Sequence, residues 1–276
     1  MRESKRVYPA ESGRKVLINW LLLITAGITI VTGLIGRGNN SSFSINTVPT
    51  QQPPALDETF DETPAEGEIK LPAVTWYALQ LGAFEKKQSA VQMAETYKAR
   101  GAAGFVWEDG RYRTLAAVYP LREDALTVRA QLSEKHLVES YLYEISFPEV
   151  QLRLSGMKGQ LEILEAAFLH AADMPAFLQK ISVQMDQQEL GMEDTFSRLD
   201  ALEQQMSIVS LRLKQRFAAP RPAVVDELIR YMDLFVTFCQ ESKLTESAVS
   251  LGQKVKYQTF ATLNQLKKIY ETLMNT

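Results

Sequence analysis

The chain has 276 residues, 46% of them hydrophobic, and carries a formal net charge of −3. This composition supports a folded core, and the slight negative charge gives no general attraction to nucleic acid. The single cysteine, Cys239, excludes an intramolecular disulfide. The two histidines, His136 and His170, lack the spacing of a metal site, so no metal is expected.

An uncharged apolar segment near the N-terminus, from Val16 to Ile35, reads VLINWLLLITAGITIVTGLI. As a helix it would span about 30 Å, the thickness of the hydrocarbon core of a bilayer. Five cations precede it and only Arg37 follows closely. This asymmetry predicts a transmembrane helix over 16–36, a basic cytoplasmic tail over 1–15, and export of the remaining chain.

Two other structures fit this segment less well. A cleaved signal peptide would have a shorter apolar region followed by a small-residue cleavage site, and "GLIGRGNNSS" offers no such site. A buried core helix would not be expected to be so uniformly apolar between charged flanks. The sequence therefore favours an uncleaved single-pass anchor, with the lipid bilayer as partner of residues 16–36.

The segment 37–73 is rich in Pro, Ser, Thr and acidic residues. Such a composition buries too little apolar area to offset the entropy of ordering. It predicts a disordered linker that holds the following domain near the membrane.

Residues 74–147 alternate between strand and helix signals and form the next predicted domain. The predicted elements are a strand at 74–84, a helix ending at Gly101, strands at 104–108 and 111–119, a helix at 122–135 and a strand at 140–147. Asp109-Gly110 is a hairpin turn signal between the middle strands. The order β-α-β-β-α-β predicts a four-stranded antiparallel sheet with both helices on one face and the other face open to a ligand.

The last part of the chain, 150–276, is rich in Leu, Met, Gln, Glu and Lys at helical spacing and predicts an all-α bundle of five helices. A heptad-like seam runs from Met192 to Leu213. It is typical of an internal core, with a dimeric coiled coil as the alternative. Catalytic and cofactor-binding motifs are lacking, so neither an enzyme nor a cofactor is expected. The fold class expected for the whole chain is α+β: a transmembrane helix, this small domain and the helical module.

Residues in 74–147 resemble the SPOR domain. The matching segments are "YALQLGAF", "QSAVQMAETYKARG" and "GRYRTLAAVYPLREDALTVRAQL". The positions that carry the resemblance are Gln80, Gly82, Phe84, Ala90, Gly101, Arg113 and Ala125. The resemblance covers about a quarter of the chain, behind an anchor and linker, which is the family's usual arrangement.

The resemblance implies binding to bacterial peptidoglycan, through glycan strands stripped of stem peptides, on the open face of the sheet. It implies a role in septal recruitment or scaffolding during cell division or sporulation, on the outer side of the cytoplasmic membrane. Gln80 and Arg113 match the family's positions on that face. Their amide and guanidinium groups suit sugar hydroxyls, acetamides and carboxylates. The helical module would engage a protein partner or self-associate.

Three positions depart from the family's pattern. Ala83 stands where a small polar residue is frequent, Arg111 where some members carry an aromatic residue, and Ala117-Val118-Tyr119 at a "GPF"-like turn. Trp76 shares the face of Gln80 by strand parity and is a candidate for the missing ring. The candidate glycan-binding residues are thus Gln80, Arg113, Trp76, Arg111 and Ala83.

Two other functions remain open, and a third, RNA recognition, is not expected. The helical half is a candidate catalytic module of a peptidoglycan-modifying enzyme, because carboxylates distant in sequence can meet in the fold. The SPOR-like fold is alternatively a vestigial part of a structural membrane protein. RNA-recognition motifs share the topology, but nine basic and nine acidic residues cancel within 74–147, and nucleic acid is not expected outside the cytoplasm.

Overall fold

The computed structural model describes residues 62–275. The predicted tail at 1–15, the predicted transmembrane helix at 16–36 and most of the predicted linker at 37–73 lie outside the described residues. Within 62–275, no helix has the length and apolarity needed to cross a membrane. The described chain is α+β, with six helices and two antiparallel sheets. The α+β part of the predicted class is therefore confirmed for these residues, and the predicted transmembrane helix lies outside them.

Strands and helices follow in this order along the chain. The strands are β1 (Pro64–Leu71), β2 (Val74–Phe84), β3 (Phe105–Glu108), β4 (Tyr112–Tyr119), β5 (Tyr141–Phe147) and β6 (Val150–Met157). The helices are α1 (Lys87–Lys98), α2 (Arg122–His136), α3 (Lys158–Asp186), α4 (Met192–Arg216), α5 (Ala223–Ser242) and α6 (Ala248–Met274).

The four-stranded sheet has the order β3-β4-β2-β5, and all its pairs are antiparallel. The helices α1 and α2 pack on one of its faces. There Leu79 and Leu81 of β2 share a buried cluster with Met93 of α1 and Ala125 of α2. The predicted β-α-β-β-α-β order and the placement of both helices on one face are confirmed, because strand and helix periodicities were clear.

Part of the predicted linker is a strand. β1 pairs with β6 from Pro64↔Met157 to Leu71↔Val150, and the same register resumes in the sheet at Val74↔Phe147. Ile69 and Leu71 are buried, while the charged residues Glu66, Glu68 and Lys70 on the other face of the strand are exposed. The expectation of disorder up to residue 73 was wrong for 64–71, because the period-two alternation outweighs an acidic composition.

The C-terminal region begins with β6 and continues as four helices rather than five. The two helices predicted around Pro175 are one, α3, with Pro175 in its interior. Proline removes the N–H that would bond to the carbonyl four residues earlier, that of Ala171. The buried hydroxyl of Tyr231, on α5, donates to this Ala171 oxygen at 3.0 Å. A tertiary contact thus satisfies the carbonyl that proline leaves open.

The first two helices of the bundle, α3 and α4, run antiparallel, as their side-chain contacts show. Gln160 near the start of α3 bonds to Arg216 at the end of α4, and Arg198 near the start of α4 bonds to Gln184 near the end of α3. The seam predicted on α4 is buried within the chain: Leu199, Leu202, Met206, Val209 and Leu213 are all at most 8% exposed. The seam therefore builds an internal core.

The second face of the sheet, predicted to be open, is mostly covered by the helical region. Phe105 of β3 stacks on Phe260 of α6 with ring centroids 5.6 Å apart, and Phe147 of β5 meets Tyr270 of α6 at 5.2 Å. Buried residues of this face and of α3 to α6 form one hydrophobic core. The expectation of an open face was wrong because this face is itself apolar and α6 lies against it.

Candidate functional site at the uncovered corner of the sheet

The end of the second face that carries Gln80 stays partly exposed. Five side chains meet there: Gln80 of β2, Asp109 of the β3–β4 turn, Arg113 of β4, and Tyr141 and Tyr143 of β5. We call this group the sheet corner. Its charged and amide groups lie where the apolar contacts with α6 end.

Strand register brings the corner together from distant parts of the chain. Gln80 pairs with Tyr141, and the next pair on that face is Ala78 with Tyr143. Paired residues of an antiparallel ladder share a face, so both tyrosines lie beside Gln80. Asp109 sits in the hairpin turn, where Gly110 adopts a φ of +82° that glycine accommodates without strain.

Arg113 is the hub of the hydrogen bonds at the corner. Its Nε donates to both carboxylate oxygens of Asp109, at 2.8 and 2.9 Å, and its Nη1 donates to Gln80 Oε1 at 2.8 Å. Its guanidinium carbon lies 4.6 Å from the ring centroid of Tyr143. The Tyr143 hydroxyl in turn donates to Asp109. This network holds Gln80 and Arg113 in fixed orientations.

The pKa values of Asp109 and Tyr143 are both shifted away from neutral pH. Partial burial opposes ionisation of Asp109, but the hydrogen bonds from Tyr143 and Arg113 and the charge of Arg113 outweigh it and lower its pKa. Burial and the hydrogen bond to Asp109 raise the pKa of Tyr143 to about 12. A general acid or base works best with a pKa near the working pH. The corner is thus better suited to hold a ligand than to transfer a proton.

Two donors of the corner remain for a ligand. Among the described residues, Gln80 Nε2 and Arg113 Nη2 have no hydrogen-bond partner. Tyr141 is 59% exposed beside them and presents an aromatic ring to solvent. An amide donor, a guanidinium donor and an exposed ring together offer hydrogen bonds and an apolar platform to a polar ligand.

The five residues predicted for the site are therefore divided by the structure. Gln80 and Arg113 come into direct contact. Trp76 is only 4% exposed and lies in the core shared with the helices, so it offers no surface to a ligand. Arg111 is exposed and lies 3.8 Å from Glu85 in an ion pair. Ala83 pairs with Arg113 in the β2–β4 ladder and is partly exposed.

Gly82, which the family pattern includes, serves packing on the opposite face. A Cβ at this position would lie 2.9 Å from Met93 Sδ and 2.9 Å from the ring of Phe84. Such distances are shorter than ordinary van der Waals contact, so with a larger residue the Met93 or Phe84 side chain would have to shift. The close approach of these two side chains accounts for the glycine.

Asp109, Tyr141 and Tyr143 are the corner residues that sequence reasoning missed. In the sequence Asp109 indicates only a turn, with Gly110. On β5, every second position from 141 to 147 carries one of Tyr141, Tyr143, Ile145 and Phe147, so all four lie on one face. That signal was present, but it points to Gln80 only once β5 is known to pair with β2.

Comparison with known proteins adds no relative to this picture. No protein-family model matches the chain, and no curated protein or solved structure matches it. The resemblance to the SPOR domain therefore stays a prediction made from the motif.

Proposed function

We propose that this chain is a single-pass bacterial membrane protein that binds peptidoglycan glycan strands at the sheet corner, outside the cytoplasm. In this role it takes part in septal recruitment or scaffolding in cell division or sporulation. The anchor and its orientation come from the apolar segment at 16–36 and the cations before it. The ligand class comes from the resemblance of 74–147 to the SPOR domain.

The observation that carries this proposal is the contact between Gln80 and Arg113. The two residues that the resemblance selects lie 33 positions apart, yet they hydrogen-bond at 2.8 Å beside an exposed tyrosine. Their remaining N–H groups suit the carbonyl of an acetamide, a hydroxyl or a lactyl carboxylate. Asp109 and Tyr143 hold both groups in place, which lowers the entropy lost on binding.

The covered face limits the size of the ligand contact. Trp76, Phe105 and Trp107 are buried under the helical region, so a strand of sugars meets only the corner. A small contact gives weak binding for one molecule. Many copies confined to one membrane can still gather on a wall that offers many sites.

The test is retention of the full chain, in detergent, on glycan strands that lack stem peptides. We expect retention by the wild type and its loss in the Gln80→Ala, Arg113→Lys double variant, which keeps a cation beside Asp109. Arg111→Ala is the matched control, since it removes a neighbouring cation outside the corner. No retention of the wild type, or equal retention of all three proteins, would contradict the proposal.

The cover by α6 favours a second candidate function. If the sheet serves only as a support for the helices, the chain is a structural membrane protein with a vestigial SPOR-like fold. Its helical region then carries the interactions with a protein partner. Fluorescence localisation separates the two: a glycan-binding protein gathers at the septum and loses that position in the double variant, whereas a vestigial domain leaves it evenly distributed.

A further inference from the structure

The helix α4 carries a second row of residues on the side opposite its buried seam. α4 packs against α3 and α5, and Leu199, Met206 and Leu213 of the seam lie in the core. The second row recurs at alternating steps of four and three residues, which follow one side of a helix. We call it the outer row. Its six members, all exposed, are Ser197, Ala201, Gln204, Ile208, Leu211 and Gln215.

The outer row is uncharged, whereas the rest of the surface of α4 is rich in charge. Within the row Ile208 is 38% and Leu211 47% exposed, one turn apart. A helix side that faces only water usually carries charged residues. An exposed, uncharged row with two branched apolar side chains is instead typical of a helix that meets another helix. The charged residues of α4, all outside the row, are Glu193, Asp194, Arg198, Asp200, Glu203, Arg212, Lys214 and Arg216.

The spacing of the outer row indicates what kind of partner covers it. Alternating steps of four and three residues are those of the a and d positions of a coiled-coil heptad. The step of three from Ile208 to Leu211 places Ile208 at a and Leu211 at d. A β-branched residue at a with leucine at d favours two parallel strands. The partner is therefore a second helix that runs parallel to α4 and has the same spacing.

The charges beside the row indicate that this second helix is another α4. In a parallel, in-register pair, Glu193 of one chain lies opposite Arg198 of the other, which is an attractive pair. An antiparallel pair would set Arg198 near Arg212, and this repulsion would offset the attraction of Asp200 for Lys214. Within one chain Asp200 and Lys214 already form ion pairs with α5. The sequence of α4 is thus complementary to itself in the parallel direction.

We propose that the outer row of α4 pairs with the outer row of a second copy of this chain, in a parallel, in-register two-stranded coil. The row extends over about 27 Å of helix, and one such pair of helices buries less than the roughly 800 Å² per partner of a standard stable interface. Pairing is therefore weak between free chains. The inference concerns a surface other than the sheet corner and does not depend on glycan binding.

Disulfide cross-linking of the full chain in detergent tests the pairing, because it traps weak dimers. Gln204→Cys places a thiol at a d position, where two parallel, in-register helices bring equal residues together. The native Cys239 does not compete, since it is 1% exposed and burial raises the pKa of its thiol to about 12. The control is Ser133→Cys, an exposed position on α2.

Under mild oxidation we expect Gln204→Cys to form covalent dimers at least tenfold faster than Ser133→Cys. Equal rates would overturn the proposal, because the row would then face solvent or a different protein. Cross-linking of a mixture of Gln204→Cys and Ile208→Cys chains, but not of Gln204→Cys chains alone, would indicate antiparallel helices and would also overturn it.

A second set of variants removes the apolar side chains of the row. Ile208→Ser with Leu211→Ser, added to Gln204→Cys, should slow cross-linking at least tenfold. Leu234→Ser is the matched control, because Leu234 is 50% exposed on α5. It should leave the cross-linking rate unchanged. Equal slowing by both sets of changes would contradict a contact through the outer row.

Thermal melting separates pairing from a structural role in one chain. Ile208→Ser with Leu211→Ser should leave the melting temperature within about 1–2 °C of the wild type, because both side chains are exposed. A clear drop in melting temperature would show that these side chains stabilise the fold of one chain, and would overturn the proposal.

Variants at the two surfaces separate this inference from the proposed function. The Gln80→Ala, Arg113→Lys double variant should leave cross-linking through Gln204→Cys unchanged. If the chain forms covalent dimers but is not retained on glycan strands, the proposed function fails and the pairing stands. If glycan strands retain the chain while Gln204→Cys cross-links no faster than Ser133→Cys, only the pairing fails.

Discussion

The two ends of the second sheet face differ in exposure: one is buried and the other is partly exposed. At one end Trp76, Ala78 and Phe105 are buried in the core shared with the helical region, and at the other end Gln80 and Arg113 remain partly exposed. The strands are the same, so the topology of the small domain does not decide whether its face is open. The helices that follow decide it, and they leave uncovered the end whose side chains carry charge and amides.

The largest expected effect on stability comes from a substitution in the core at the covered end of the sheet face. Phe260→Ala removes a fully buried ring that stacks on Phe105. It should lower the free energy of unfolding by about 3–5 kcal/mol, measured by urea denaturation. Tyr141→Ala at the uncovered corner is the control and should change stability by less than about 0.5 kcal/mol. Similar losses in both variants would mean that the two ends are equally packed.

A second prediction concerns α3, whose Ala171 carbonyl accepts a hydrogen bond from Tyr231 of α5. Tyr231→Phe leaves the Ala171 carbonyl of α3 without its donor and should cost about 1–3 kcal/mol in unfolding free energy. Pro175→Ala restores a backbone N–H for the same carbonyl. The cost of Tyr231→Phe should therefore shrink in the Pro175→Ala background. An equal cost in both backgrounds would show that the two groups do not share this oxygen.

A third prediction concerns the uncovered end and the pH dependence of the stability that Asp109 contributes there. The pKa of Asp109 is lowered in the folded protein. Ionised Asp109 therefore contributes fully to the free energy of unfolding above its unfolded pKa of about 3.9, and this contribution is lost as the pH falls through its folded pKa. Asp109→Asn should cost about 1–2 kcal/mol in unfolding free energy at pH 7, and this difference should shrink below pH 4. Glu95→Gln, an exposed carboxylate on α1, is the control. A difference that does not depend on pH would contradict the network.

The smallest effect is expected just outside the corner. Arg111 and Glu85 form a long, exposed ion pair at 3.8 Å, and such pairs contribute little. Arg111→Ala should leave both the melting temperature and glycan retention unchanged. Loss of retention in this variant would enlarge the site beyond the corner and restore the role predicted for Arg111.

The sequence predicts the small domain well because alternation and helical period are local signals. β2 to β5 and both of their helices follow from them. The cover by α6 does not follow, because it depends on contacts between residues about 150 positions apart, such as Phe105 with Phe260. One clue was local: Trp76 and Ala78 make the second face of β2 apolar, and a strand that is apolar on both sides indicates cover on both.

For the same reason, only some residues of the site can be predicted from the sequence. Gln80 and Arg113 are found through the motif, whereas Tyr141 and Tyr143 become neighbours only through the pairing of β5 with β2. The strand β1 and the unbroken α3 show a further limit. Each depends on a distant partner, β6 in one case and Tyr231 in the other.

Hydroxyl-radical footprinting of the full chain, with and without glycan strands, tests the central claim most directly. Without glycan, Tyr141 should be modified readily, and Trp76, Phe105 and Trp107 should be protected, because they are 4%, 7% and 2% exposed. Added strands should protect Tyr141 and leave the covered residues unchanged. Modification of Trp76 in the free protein, or no protection of Tyr141 by the strands, would contradict a covered face with a glycan-binding corner.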